Sequence, residues 1–177
     1  MNFLTVLIII LSLFPYANLK LRLIVVKSPV CDKYNRNYLR NISMDYHDTK
    51  LNADIDLIKQ LQSGLRLSMD FSTRRIRSSS FTHFYEYSLD LCNMLSTQKN
   101  NIFKRWFSTF YNYGNFKRAC PVPPNYYYLK NYRISELEVP PFLFAGLFRL
   151  EFQMIQSTAQ SKKKDHIFSC EVEIEIK

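Results

Sequence analysis

Apolar and polar side chains alternate with a period of two in five separate stretches of this 177-residue chain. The C-terminal stretch, CEVEIEIK, is the clearest, because Cys170, Val172, Ile174 and Ile176 alternate with three glutamates. Successive side chains of a β-strand point to opposite faces of its sheet, so each stretch predicts a strand with one buried and one hydrated face. Four more stretches have the same period, at residues 51–57, 65–71, 85–91 and 148–154.

One stretch, STQKNNIFKRWFSTFYNYG, departs from this pattern. Its apolar side chains recur at helical spacing from Ile102 to Phe110, which predicts one amphipathic helix whose aromatic face packs on a sheet. Ser96 or Thr97 is the predicted N-cap, and Gly114 the predicted end. One short helix among about seven to eight antiparallel strands is typical of an all-β, immunoglobulin-like sandwich.

The first 19 residues predict a secretory signal peptide. They form an apolar run from Phe3 to Phe14 that ends at Pro15, with no charge before Lys20. This run is shorter than the roughly 20 apolar residues that a membrane-spanning helix needs. An uncleaved anchor and a buried first strand are the alternatives, and residues 20–177 are predicted to form a single domain.

The net charge of +9 would suggest nucleic acid in a nuclear protein. In an exported protein, without a nucleic-acid motif, the charge instead indicates solubility, attraction to anionic lipid or an acidic partner, and we expect no nucleic acid as a partner. Lys162, Lys163 and Lys164 stand together between the last two strand patterns. They predict either a solvated turn or a membrane or receptor contact.

Four cysteines, Cys31, Cys92, Cys120 and Cys170, predict two disulfides in an oxidising compartment. Sequence alone allows three pairings. None of the cysteines has the C-x-x-C spacing of a zinc or redox site, so we expect no metal and no cofactor. Asn41 begins the sequence Asn-Ile-Ser, which predicts a surface glycan or else a plain surface turn.

Enzymatic activity is not predicted. His47, His83 and His166 lie in no nucleophile or metal motif. Asp54 and Asp56 alternate with apolar neighbours, which places both on the hydrated face of a strand rather than in a pair with raised pKa.

The ordered motifs of the second half resemble an insect family of secreted proteins of unknown function that includes the CheB-type chemosensory proteins. The shared pattern is Asp-x-Cys, an aromatic helix, an asparagine before Cys-Pro, a tyrosine strand, and proline followed by glycine and an aromatic residue. In this chain the pattern is formed by Asp90, Cys92, Asn115, Cys120, Pro121, Tyr126 to Tyr128, Pro141, Gly146 and Phe148.

More distantly, the strand after Cys120 and the ending FSCEVEIEI look like the ML lipid-recognition superfamily, which includes the cholesterol carrier lost in Niemann–Pick type C disease. This resemblance implies an immunoglobulin-like sandwich that holds a lipid between its two sheets. It also implies the disulfides Cys92–Cys120 and Cys31–Cys170.

These observations predict a secreted, non-catalytic binder of a small hydrophobic molecule, such as a lipid, a fatty acid or a pheromone-like ligand, in a chemosensory setting. The candidate cavity residues are Leu67, Met69, Phe71, Tyr85, Tyr87, Leu89, Tyr126, Tyr128, Phe148, Leu150, Phe152 and Met154. In the alternative, the same residues form a solid core, and the protein is a secreted interaction module that acts on a receptor or channel. The two differ in whether the sheets splay beyond the usual separation of about 10 Å.

Overall fold

The computed structural model describes residues 21–75, 78–96, 102–157 and 164–177. The predicted signal peptide, Lys162 and Lys163 lie outside the described residues. The described part contains two short α-helices, α1 (Leu91–Ser96) and α2 (Ile102–Phe110), and a 3-10 turn at Ile134–Glu136. Its strands are β1 (Leu23–Tyr34), β2 (Leu39–His47), β3 (Lys50–Leu57), β4 (Leu65–Arg74), β5 (Thr82–Asp90), β6 (Asn125–Arg133), β7 (Gly146–Ser157) and β8 (Lys164–Ile176).

The strands form two sheets. The larger sheet has the order β1-β8-β7-β4-β5, and the smaller has the order β2-β3-β6. Every pair of neighbouring strands is antiparallel. The predicted fold class, an all-β sandwich of antiparallel strands, is therefore confirmed. The period-two stretches lie in β3, β4, β5, β7 and β8, because each buries one face between the sheets and leaves the other to solvent.

The helical region differs from the prediction. The side chain of Asp90 accepts a hydrogen bond from the backbone N–H of Asn93 at 2.8 Å, so Asp90 caps α1 and ends the strand before Leu91. Gly114 does not end a helix in the left-handed conformation. It lies against β6, where a Cβ atom would be 2.1 Å from the carbonyl oxygen of Tyr128, so only glycine permits this approach.

Two disulfides form, with the pairing that the resemblance implies. Cys31–Cys170 joins the neighbouring strands β1 and β8, and Cys92–Cys120 joins α1 to the loop before β6. All four cysteines are thereby paired. By the loop-closure argument, bonds that span 139 and 28 residues stabilise the fold by about 5 and about 3.6 kcal/mol.

Tyr132 of β6 holds α2 against the small sheet. Its ring is fully buried and makes edge contacts with Phe110 and Tyr113, at centroid distances of 4.9 and 5.3 Å. Its hydroxyl shares a hydrogen bond of 2.8 Å with the hydroxyl of Thr109. Burial raises the pKa of Tyr132 to about 12. The helix is thus attached through a neutral phenol.

Candidate hydrophobic ligand site

The two sheets enclose a cavity of about 310 Å³, called here the central cavity. Ligand pockets have volumes of about 300–1,000 Å³, so this one is at the small end of the range. Its lining comes from both sheets and from a helical cover, defined as α1, α2 and residues 111–117. The principal lining residues are Leu65, Leu67, Met69, Phe71, Leu150, Phe152 and Met154 of the large sheet; Met44, Ala53, Ile55, Leu57, Tyr127 and Leu129 of the small sheet; and Leu91, Leu95, Phe107, Phe110, Tyr111, Phe116 and Lys117 of the cover.

Six of the twelve predicted residues line this cavity, and they stand in pairs on two adjacent strands. In the register of β4 with β7, Leu67 lies opposite Met154, Met69 opposite Phe152, and Phe71 opposite Leu150. Both strands lie inside the large sheet, with a neighbour on each side. Their inward rows therefore form the floor of the cavity.

Four predicted residues lie elsewhere in the core and do not line the cavity. Phe148 is fully buried, with ring centroids of Phe84 and Phe144 at 6.1 and 5.2 Å. Tyr85 contacts the ring of Phe142 at 4.3 Å. The segment 139–145 carries Phe142 and Phe144 over the sheet, where they pack against Tyr85 and Phe148, and Phe84 is contributed by β5. We call this aromatic cluster the closed end; Tyr87 and Leu89 lie on the same inward face of β5.

The assignment of Tyr126 and Tyr128 to the cavity is wrong. Their side chains are 51% and 37% exposed on the outer face of the small sheet, and the Tyr126 hydroxyl donates to Asp54. Tyr127 between them lines the cavity instead, and its hydroxyl donates to the carbonyl of Pro123 at 2.8 Å. Three consecutive tyrosines contain no apolar–polar alternation, so the sequence does not indicate which of them points inward.

Asp54 belongs to this outer face, as predicted for it and Asp56. Partial burial raises the pKa of Asp54, but hydrogen bonds from Lys130 and Tyr126 outweigh that effect, and the pKa lies below its usual value. The Lys130 ammonium is 2.6 Å from one carboxylate oxygen. Asp56 pairs with Arg40 at 3.0 Å. Both carboxylates are thus held by cations.

The helical cover contains lining residues that the prediction missed. The aromatic face of α2 packs against a sheet, as the sequence predicts, through the contact of Phe110 with Tyr132, but Phe107 and Phe110 also border the central cavity. Tyr111 and Lys117 carry no motif. The signal that could have indicated them is charge, because residues 91–135 contain seven lysines and arginines and no aspartate or glutamate.

The motif residues of the second half fasten this cover. The side-chain amide of Asn115 donates to the carbonyl of Tyr126 and accepts from the backbone N–H of Tyr128, both at 2.8 Å. Asp90 caps α1, and the Cys92–Cys120 disulfide joins α1 to the chain that enters β6. The pattern therefore holds the cover at both of its ends.

The histidines are spread over the surface. His83 lies 2.8 Å from Asp70, His47 lies 3.2 Å from Asp48, and the imidazole of His166 is 2.7 Å from the Ser169 hydroxyl. Among the described residues, no group of three or more histidine, cysteine or acidic side chains is arranged to hold a metal ion.

Two other predicted surface features have defined positions. Asn41 is exposed on β2, and its glycan stays a prediction. Lys164 is exposed at the start of β8, beside a polar groove on the outer face of the large sheet that Asp70, Glu86 and Glu151 also line. No helix in the described ranges has the length and hydropathy needed to cross a membrane.

Comparison with known families adds one match. The sequence model of a family described as "Protein of unknown function (DUF1091)" matches residues 67–150. That range runs from the second residue of the β4 inward row to Leu150 of β7, and it includes the helical cover with its disulfide. The matched part of the chain is therefore similar to a family whose description states no activity. No curated protein matches the chain.

Proposed function

We propose that this protein is a secreted, non-catalytic binder of a small hydrophobic molecule. The central cavity carries the proposal, because its described lining is apolar except for Tyr111, Lys117 and Tyr127. Protein interiors are normally close-packed, and an empty apolar hollow of this size costs several kcal/mol of stability, on the order of 20 cal/mol per Å³. An apolar guest offsets that cost by restoring the missing contacts.

The size of the cavity limits the guest. The cavity of about 310 Å³ is at the small end of the usual range of ligand pockets, about 300–1,000 Å³. This volume suits a single medium-length chain better than a two-chain lipid or a sterol. The expected guest is therefore a small fatty or pheromone-like molecule.

Export from the cell is the second part of the proposal. The apolar first 19 residues and the two disulfides support it, because disulfides persist in oxidising compartments. The chemosensory setting is supported by the resemblance of the motif residues to CheB-type proteins. The family match over residues 67–150 supports a relationship to a family of unknown function.

Uptake of a neutral fluorescent probe tests the binding function. N-phenyl-1-naphthylamine should gain fluorescence in the purified protein, and decanol should displace it. Tyr126→Ala on the outer face is the matched control and should bind the probe as the unmodified protein does. If the unmodified protein takes up no probe and a solvent extract of the secreted material contains no lipid, the binder proposal fails and the solid-core interaction module is favoured.

A further inference from the structure

One lining residue of the central cavity differs from all the others in charge and exposure. Lys117 is the one charged side chain among the described residues that line the cavity, and it is exposed, whereas the rest are buried or half-buried. A side chain that belongs to both the lining and the surface marks the place where the two meet. Lys117 therefore stands at the mouth of the cavity.

Two of the three polar side chains that line the cavity have hydrogen-bond donors without a partner among the described residues. Tyr127 uses its hydroxyl on Pro123, but neither the Lys117 ammonium nor the Tyr111 hydroxyl has a hydrogen-bond or ion-pair partner within the described ranges. Burial raises the pKa of Tyr111, although Arg118 opposes the shift, so the hydroxyl stays protonated and able to donate. Two lining residues, Lys117 and Tyr111, therefore have donor groups that no described residue accepts.

The helical cover contains lysine and arginine but no aspartate or glutamate. The guanidinium of Arg118 lies 4.6 Å from the centroid of the Tyr111 ring. Two carboxylates that follow β6 contact the cover, and both have partners: Glu136 accepts a hydrogen bond from the Tyr113 hydroxyl, and Glu138 is paired with Arg105 at 2.9 Å. With no acidic residue between positions 91 and 135, the helical cover presents a positive potential to an entering molecule.

We propose that the guest is a single-chain amphiphile with a carboxylate headgroup. Its chain lies in the central cavity, and its carboxylate accepts hydrogen bonds from Lys117 and Tyr111 at the mouth. This inference rests on the proposed binding function and adds the sign and position of the headgroup. The chain supplies most of the affinity through burial, and the headgroup supplies selectivity.

Competition against the same neutral probe tests the headgroup, using decanoate, decanol and decyltrimethylammonium at about pH 7.5, where the carboxylate is ionised. Lys117→Gln should weaken decanoate about fivefold and change decanol less than about twofold, since a partly hydrated charge pair is worth roughly this much. Lys117→Glu should favour the ammonium compound over decanoate. Lys33→Gln removes another exposed lysine, outside the cavity lining, and should change none of the three affinities.

The outcomes separate the two proposals. If Lys117→Gln binds decanoate as tightly as the unmodified protein does, or loses decanoate and decanol equally, the headgroup inference is overturned while the hydrophobic site stands. If none of the three compounds displaces the probe and no probe is taken up, the binding function itself is overturned. Circular dichroism of each variant establishes that the exposed substitution leaves the fold intact.

Discussion

Phe148 and Phe152 are the same residue type on the same inward face of β7, yet their surroundings differ. Phe148 is fully buried at the closed end, in contact with Phe84 and Phe144. Phe152, four residues further along the same strand, borders the central cavity. The segment 139–145 supplies aromatic rings to the first position, and nothing in the described residues fills the space beside the second. Whether an inward side chain is close-packed or borders the cavity therefore depends on which residues of the opposite layer contact it.

Truncating these two phenylalanines should give the largest difference in stability between the closed end and the central cavity. Phe148→Ala is expected to lower the free energy of unfolding by about 3–5 kcal/mol, because it opens a hole in close-packed surroundings. Phe152→Ala should lower it by about 1–2 kcal/mol in ligand-free protein, because that side chain already lacks contacts on one side. Urea denaturation measures both. Equal losses would show that the two sites are packed alike.

A second test concerns the helical cover, which lies over the central cavity and is held on the small sheet by Tyr132. The closed end forms instead on β5 and β7 of the large sheet. Folding raises the pKa of Tyr132 from 10.0 to about 12, so the protonated phenol stabilises the fold. That contribution is complete below about pH 10 and is lost as the pH rises through about 12. We expect the free energy of unfolding to fall by about 1–2 kcal/mol over this range. Denaturation curves at several pH values should show a smaller fall in Tyr132→Phe; an unchanged fall assigns it to other groups.

The smallest expected effect comes from enlarging a side chain instead of truncating it. Leu67→Phe directs its extra atoms into the central cavity and should change stability by less than about 1 kcal/mol while reducing probe uptake. Leu143→Phe, the matched change at a buried leucine of the segment 139–145, should cost about 1–3 kcal/mol through overpacking. Chemical denaturation and probe fluorescence measure the two variants. A large loss from Leu67→Phe would mean that the cavity does not accept added bulk.

The inward rows could be predicted because their pattern is local. Leu67, Met69 and Phe71 alternate with polar residues, and the strand buries them whatever lies opposite. The cavity itself could not be predicted, since it depends on the spacing of the two sheets and on how the segment 139–145 and α2 are placed. Where the alternation is absent, as at Tyr126 to Tyr128, the sequence does not predict which side chain points inward.

A local hydrogen bond explains why the strand predicted for residues 85–91 ends at Asp90 and a helix begins at Leu91. The row from Tyr85 continues in the sequence to Leu91, but the Asp90 side chain caps a helix there and turns the chain away from the sheet. Asp at this position is a helix-start signal that competes with the apolar alternation around it. The motif resemblance marked Asp90 without revealing that role.

Gly114 has a consequence for how molecules of this protein meet one another. Residues 113–115 lie along the outer edge of β6, where Lys130 donates its backbone N–H to Tyr113 at 2.8 Å and Asn115 donates to Tyr128 at 3.3 Å. These bonds occupy backbone groups that an open sheet edge would offer to a foreign strand. A bulkier residue at position 114 would displace the segment and leave that edge available for self-association at high concentration.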